Sequence, residues 1–181
     1  MYRQDKEYMA EVGHLIQHPK LQKLKEIPHH IHSNRLEHSI HVSYTSYRIS
    51  KKMGWDTKST ARGALLHDLF YYDWRQVKFN KSHAWVHPRI AVRNAKKITS
   101  LNKKEEDIIL KHMWGLTLAP PRYKESFLVT MVYKYWAIKA SNEAGESSWA
   151  AGGFVIGKPY TLPFHNSFKN GSIEGQFIGL E

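Results

Sequence analysis

The stretch GALLHDLFYYDW, residues 63–74, places a histidine and an aspartate side by side at the end of an apolar run. His67 and Asp68 lie at or beside the apolar side of their predicted helix, where an imidazole or a carboxylate needs a partner. A histidine–aspartate pair is common by chance, and a single half-buried histidine is usually a satisfied core residue. The pair is therefore informative only in combination with other residues of the chain.

Apolar residues recur at helical spacing on both sides of this stretch. They predict helices over residues 2–18, 34–53, 56–73, 88–99, 102–114 and 124–140. Asn34 is the predicted N-cap of one helix, and Asn102 with Glu105 resembles a capping box. Pro88 is expected at the first position of its helix, where a missing N–H costs nothing. Strand-like alternation is nearly absent up to residue 141, so the predicted fold class is all-α, a helical bundle.

The composition changes beyond residue 141. Seven of the eleven glycines lie there, together with Pro159 and Pro163. Forty residues without a disulfide or a metal rarely form a core of their own. We therefore expect one domain over residues 1–141 and a Gly-rich C-terminal extension over 142–181 that is irregular or contains short β-like segments.

Composition also limits the classes of function. The 181 residues include no cysteine, which excludes a disulfide framework, a thiolate zinc finger and a cysteine nucleophile. Neither a run of about 18 apolar residues nor a signal-peptide core is present, so we expect a cytoplasmic protein with no membrane partner. The formal charge of +11 favours an anionic partner, either a phosphate-bearing substrate or, less favoured, nucleic acid.

Further histidines flank the histidine–aspartate pair, on other predicted helices or, for His87, directly before one. His38 precedes the pair, and His87 and His112 follow it. Helices that converge in a core can bring such residues together although they are distant in sequence. Neutral imidazole and carboxylate are ligands that suit zinc, iron, manganese and nickel. The combination indicates a metal site.

This order of residues resembles the HD-domain superfamily of metal-dependent phosphohydrolases. The resemblance covers about residues 30–140 and rests on RLEHSI (35–40), GALLHDLFYYDW (63–74), HAWVHPRIA (83–91) and DIILKHMW (107–114). It implies a helical bundle with one or two divalent ions (Mn, Fe, Zn, Ni, Co or Mg) in its core. It also implies an enzyme that hydrolyses a phosphoester of a small substrate, such as a nucleotide. A homodimer is a further possibility.

The resemblance assigns roles by position. His38, His67 and Asp68 match ligands of a first ion, and Asp68 is the residue expected to bridge to a second ion. His87 and His112 match the additional histidines that bind a second ion in the binuclear branches of the superfamily.

Three other residues are expected to act on the substrate. Asp68 and His83 are the predicted catalytic residues. His83 is expected near the leaving group and is the less favoured alternative to His87 as a ligand of the second ion. Arg35 is the predicted anchor of the substrate phosphate, because a guanidinium can bind phosphate through two parallel hydrogen bonds. The alternative for Arg35 is a surface salt bridge with Glu37 or Asp68. Lys111 is a second predicted phosphate contact, and its alternative is a plain exposed lysine.

One position departs from the family pattern, which ends with an aspartate on the last helix. The corresponding stretch is Val132-Tyr133-Lys134-Tyr135, so Tyr133 occupies the position of the carboxylate. Neutral tyrosine, with an ordinary pKa of about 10, is a poor ligand for most divalent ions. Either water, substrate phosphate or Asp73 completes the site, or the protein is a degenerate HD-domain protein with a regulatory, ligand-binding or nucleic-acid-binding role.

Overall fold

The computed structural model describes residues 2–30, 33–73, 76–77 and 79–143. Except for residues 142 and 143, the predicted C-terminal extension lies outside the described residues.

Seven α-helices make up most of the described chain. They are α1 (Lys6–Ile16), α2 (Pro19–Gln22), α3 (Arg35–Lys52), α4 (Thr57–Leu66), α5 (His83–Lys96), α6 (Lys103–Lys111) and α7 (Lys124–Glu143). Two short 3₁₀ helices span Tyr2–Gln4 and Lys23–Glu26, and two very short strands, β1 (Pro28–His30) and β2 (Ser33–Asn34), pair antiparallel before α3. The all-α prediction is confirmed, because this strand pair forms no layer of the fold.

Side-chain caps fix the starts of three helices. Asn34, Asp56 and Asn102 each accept a hydrogen bond from the backbone N–H three residues further on, at 3.0, 2.9 and 2.8 Å. The Asn102 cap is a complete capping box, since Glu105 accepts a hydrogen bond from the Asn102 backbone N–H at 2.9 Å. These predicted helix starts are confirmed.

The end of α4 differs from the prediction. The helix was expected to continue to about residue 73 but ends at Leu66. The His67 side chain is the reason: its Nδ1 donates a hydrogen bond to the Ala64 carbonyl, the acceptor that the Asp68 N–H would use in a longer helix. The chain therefore leaves the helix at the histidine–aspartate pair.

The start of α5 also differs from the prediction. Pro88 was expected at the first helical position, but the helix begins at His83 and contains Pro88 in its interior. A proline inside a helix lacks the N–H that would bond the carbonyl four residues earlier, here that of Ala84, and its ring crowds that carbonyl. As a consequence His83 and His87 are four residues apart on one helix and share a face.

Two apolar clusters hold the helices together. The larger one includes Tyr8, Leu36 and Leu65, and the second joins α3, α4, α6 and α7. Gly63 allows α4 and α6 to approach closely, because a Cβ at this position would lie 3.0 Å from three atoms of the Ile108 side chain. The close approach brings the C-terminal ends of α4 and α6 together.

Candidate metal centre

A histidine occupies the C-cap position, directly after the last helical residue, of both α4 and α6. His67 caps α4 and His112 caps α6, and both side chains are fully buried. The Nδ1 atom of His67 contacts the Ala64 carbonyl at 2.6 Å, and Nδ1 of His112 contacts the Ile109 carbonyl at 2.8 Å. A carbonyl oxygen can only accept, so each Nδ1 carries the proton and each Nε2 of the neutral ring keeps a lone pair.

His87 presents the same arrangement from α5. Its Nδ1 donates to the His83 carbonyl at 2.9 Å, and its Nε2 lies 2.8 Å from Nε2 of His112. With both Nδ1 atoms protonated, two neutral rings would direct lone pairs at each other across this distance. A cation close to both Nε2 atoms removes the repulsion. The two residues are therefore arranged as a pair of metal donors.

Asp68 lies at the centre of these rings and is 4% exposed. Its Oδ1 is 3.4 Å from Nε2 of His87 and 3.5 Å from Nε2 of His112, while Oδ2 is 3.5 Å from Nε2 of His67. Within the described residues, Asp68 Oδ1 and His67 Nε2 have no hydrogen-bond partner. Buried polar atoms rarely stay unpaired, so this donor set fits a ligand such as a divalent ion.

The protonation states in the cluster suit metal binding. Burial raises the pKa of Asp68, but the adjacent His67 and His87 outweigh that effect and hold this pKa well below its usual value. Burial lowers the pKa of His67 and, together with the neighbouring imidazoles, lowers that of His112 further. An ionised carboxylate and neutral imidazoles are the forms that bind metals.

The donors form two groups that share Asp68. His38, His67 and Asp68 make one group, and Asp68, His87 and His112 make the other. The donor atoms within each group lie within 4.8 Å of one another, and all five residues are buried. Because metal–nitrogen and metal–oxygen bonds are about 2.0–2.2 Å long, the donor atoms of one ion must lie within a few ångströms of one another. The structure thus brings together the five predicted ligands from α3, α5 and the ends of α4 and α6.

Tyr133 of α7 forms one wall of the cluster. Its ring centroid lies 5.7, 5.6 and 5.1 Å from those of His38, His67 and His112, each in an edge-on arrangement. Burial and the negative charge of Asp68 raise the pKa of Tyr133 above its usual value, so the phenol is neutral. Tyr133, which occupies the position where the resemblance expects a carboxylate, therefore lies next to the cluster, as predicted, but its side chain carries no charge.

His83 lies beside the cluster but belongs to neither donor group. Its ring stacks on His87 with centroids 4.3 Å apart, and Phe70 lies 5.5 Å away. Burial, with a contribution from His87, lowers the pKa of His83 to about 3. The Phe70 ring also contacts His87 at 5.2 Å. The sequence motif did not indicate this aromatic neighbour, which lies two residues after Asp68.

Arg35 is fully buried, so the surface salt bridge considered for it is wrong. Its guanidinium donates to the Phe70 carbonyl at 2.7 Å and to the Tyr72 carbonyl at 3.2 Å, and it lies 3.7 Å from the Phe70 ring centroid. Arg35 therefore ties the first turn of α3 to the segment that follows Asp68.

The remaining predicted residues lie at the margin of the site. Lys111 is the last residue of α6, directly before His112, and is partly exposed. Its carbonyl accepts a hydrogen bond from Thr130 at 3.1 Å. Asp73 is partly buried and belongs to neither donor group.

Comparison with known proteins agrees with the geometry of the cluster. The family model of the HD domain matches residues 35–132, more than half of the chain, and this range includes every donor of the two groups. The chain therefore belongs to the HD-domain family, which indicates the superfamily of metal-dependent phosphohydrolases. Neither a curated protein nor a solved structure gives a significant match. In the described part of the chain, the helices are too short or too polar to cross a bilayer.

Proposed function

We propose that this protein is a metal-dependent phosphohydrolase that cleaves a phosphoester of a nucleotide or another small phosphorylated molecule. The observation that carries the proposal is the 2.8 Å approach of the His87 and His112 Nε2 atoms beside Asp68. In this proposal His38, His67 and Asp68 would hold one divalent ion, and Asp68, His87 and His112 would hold a second, so that Asp68 would serve both groups. Mn, Fe, Zn, Ni, Co and Mg are the ions to test.

The donor set favours an anionic substrate. It combines four imidazoles with one carboxylate, because Tyr133 adds no charge. Two bound divalent ions would therefore keep a large positive charge that a phosphate can offset. When bound, the ions would lower the pKa of a water molecule and stabilise charge on phosphate oxygens.

The chain's own residues would then position the substrate. His83, held beside His87 and neutral, is proposed to lie near the leaving group, with Asp68 as the other catalytic residue. Lys111, next to His112 in sequence and partly exposed, is the proposed phosphate contact. The contacts of Arg35 with the Phe70 and Tyr72 carbonyls support an indirect role, in which it holds the segment after Asp68 in place for the substrate.

The second candidate function is a degenerate HD domain with a regulatory, ligand-binding or nucleic-acid-binding role. The observation in its favour is Tyr133, which fills the place of a carboxylate with a neutral ring. The two candidates differ in turnover and in metal content.

The test measures both quantities on the full chain. Protein purified without a chelator is subjected to elemental analysis and then assayed with each of the six ions. Nucleoside mono-, di- and triphosphates and p-nitrophenyl phosphate are the substrates. We expect turnover that depends on the ion, is lost in Asp68→Asn and is retained in His14→Ala, which changes an exposed histidine of α1. Bound metal without turnover on any substrate would favour the degenerate alternative.

We also propose the division of the chain into a domain over residues 1–141 and an extension over 142–181 that supplies no metal ligand. Its support is that all donors of both groups lie between His38 and His112. Because α7 runs to Glu143, a truncation that tests the division belongs after residue 143.

A further inference from the structure

A cavity lies on the outer side of α3 and α7, and none of its lining residues belongs to the histidine–aspartate cluster. We call it the α3/α7 groove. Its volume is about 390 Å³, within the range of about 300–1,000 Å³ that is typical of small-ligand sites. Side chains that line it include His41, Tyr44, Arg48, Ile49, Lys52 and Trp136. The groove is large enough for one small ligand.

One wall of the groove is flat and aromatic. The rings of His41 and Trp136 stack with centroids 4.7 Å apart and an angle of 29° between their planes. Trp136 is fixed by a hydrogen bond from its Nε1 to the Thr45 hydroxyl at 3.1 Å. Burial lowers the pKa of His41 despite the nearby Glu37, so the stacked pair is uncharged near neutral pH. Lys139 also lies over the Trp136 ring, with its Nζ 4.8 Å from the centroid. The stacked rings with this cation beside them suit a planar aromatic ligand that carries negative charge.

The groove also carries two cations, and no carboxylate of the described residues forms an ion pair with either of them. Arg48 and Lys52 are exposed, lie one turn apart on α3 and form no ion pair with any described residue. The neighbouring Lys51, outside the groove, pairs with Glu7 at 2.7 Å. No acidic residue is among the described residues that line the groove. Adjacent unpaired cations in a cavity favour an anion such as phosphate.

We propose that the α3/α7 groove binds a nucleotide unit, with its base against the His41–Trp136 wall and its phosphate at Arg48 and Lys52. The unit is either a free mononucleotide or one residue of a single-stranded nucleic acid. Base stacking on an aromatic side chain combined with phosphate contacts is how proteins bind single strands. The proposal does not rest on hydrolysis, because the groove shares no residue with the candidate metal centre.

The test is calorimetric titration of the full chain in chelator, so that the candidate metal centre does not contribute. AMP, a ten-nucleotide oligothymidine, inorganic phosphate and poly-glutamate are the probes. Arg48→Glu/Lys52→Glu is compared with Lys97→Glu/Lys103→Glu, an exposed pair outside the groove with the same change in net charge. We expect the first double variant to weaken nucleotide binding about tenfold or more, and the control pair to change it less than about twofold.

Two further measurements separate a built site from general attraction. Trp136→Leu keeps an apolar side chain without the ring, and we expect it to weaken AMP or oligothymidine binding about fivefold or more. Arg48→Gln/Lys52→Gln should flatten the slope of log affinity against log salt for the oligonucleotide by about 1.4, the value for two phosphate contacts with a single strand.

The outcomes decide the proposal. Tighter binding of oligothymidine than of AMP identifies a nucleic-acid site, and equal or weaker binding identifies a mononucleotide site. The proposal is overturned if neither AMP nor oligothymidine binds, or if poly-glutamate or phosphate binds as tightly as these nucleotides. It is also overturned if the two double Glu variants weaken binding equally, or if Trp136→Leu binds nucleotides like the wild type. None of these outcomes bears on metal-dependent turnover.

Discussion

His87 and His112 come from separate segments of the chain, yet their Nε2 atoms lie 2.8 Å apart, with Asp68 Oδ1 within 3.5 Å of both. Each Nδ1 atom is committed to a backbone carbonyl, so neither ring can turn its N–H toward the other without losing a hydrogen bond. Burial and the neighbouring imidazoles also lower the pKa of His112, so the ring of His112 is neutral near pH 7. A bound divalent ion would therefore hold the N-terminal part of α5 to the end of α6.

The first prediction is that divalent ions stabilise the fold through this pair. A ligand that binds only the native state at 100 times its Kd stabilises it by about 2.7 kcal/mol. We expect chelator to lower the Tm of the wild type, and Mn²⁺ or Zn²⁺ to restore it. In His112→Ala the rise in Tm should be much smaller.

His14→Ala is the control for this prediction, because His14 is exposed on α1 and distant in sequence from the donors. It should respond to the ions like the wild type. Equal stabilisation of His112→Ala and the wild type by both ions would contradict the role assigned to His112.

Local rules predicted the helices, and they failed where side chains of the site compete with the backbone. Asn34 and Asn102 act as caps within a few residues of sequence, so their helices were predicted correctly. The end of α4 depends on the His67 ring, which takes the Ala64 carbonyl away from the helix. The burial of Arg35 depends on carbonyls more than thirty residues away. The contacts of Arg35 have no local signal in the sequence, whereas the His67 contact spans only three residues.

For the candidate site, the sequence identified the donor residues but not how they are arranged in space. Residue types and the family resemblance identified the five donors, because their spacing in sequence is itself the motif. Their division into two groups that share Asp68 was only implied, since it depends on how closely α4 and α6 pack at Gly63 and Ile108. The α3/α7 groove was not predicted at all, because stacking of His41 on Trp136 joins residues from two distant helices.

A second prediction concerns Tyr133, whose ring borders three histidines of the cluster. In Tyr133→Asp we expect tighter metal binding and faster phosphoester hydrolysis, because the new carboxylate supplies an oxygen ligand and offsets the charge of the ions. Without metal the variant should be less stable, since large-to-small changes in a core typically cost about 2 to 5 kcal/mol. Added metal should recover part of that loss.

Tyr133→Phe is the matched control, because it keeps the ring and adds no ligand. The measurements are metal affinity, turnover and thermal unfolding with and without Mn²⁺ for the three proteins. A folded Tyr133→Asp with neither tighter metal binding nor faster turnover would show that this position is not that of a lost ligand. Asp73 would then be the carboxylate to test next.

A third prediction compares two ion pairs of α6. Arg62 pairs with Glu105 at 2.6 Å where both side chains are nearly buried, and Lys96 pairs with Glu106 at 2.8 Å on the surface. Arg62→Met leaves the Glu105 carboxylate buried and unpaired, so we expect a loss of about 3 kcal/mol in the free energy of unfolding. Lys96→Met should cost at most about 1 kcal/mol. Urea unfolding measures both, and equal losses would contradict the burial argument.

A fourth prediction concerns the extension. Truncation after residue 143 should leave metal content and the Tm increase with Mn²⁺ unchanged, because both donor groups lie between His38 and His112. Elemental analysis and thermal unfolding of the truncated and full chains provide the comparison. A truncated chain that keeps the helical circular dichroism of the full chain but binds no metal would show that the extension contributes to the site.

The last prediction concerns acid stability through Lys104, which bridges Asp56 and Glu125 at 3.1 Å from each. Burial raises the pKa of both carboxyl groups, but hydrogen bonds, including those from Lys104, outweigh it and leave both pKa values below their usual range. A carboxyl group whose pKa is lower in the folded state stabilises the fold above its unfolded pKa, about 4, and loses that contribution as the pH falls through the folded pKa. We therefore expect Lys104→Gln to be less stable than the wild type near pH 7, and the stabilities of the two proteins to converge below about pH 4.

The control is Lys103→Gln, which changes an exposed neighbour without an ion pair to any described residue. Its stability should follow that of the wild type at every pH. Urea unfolding between about pH 3 and 7 measures the difference, and a difference that does not change with pH would show that Lys104 acts through packing instead of charge.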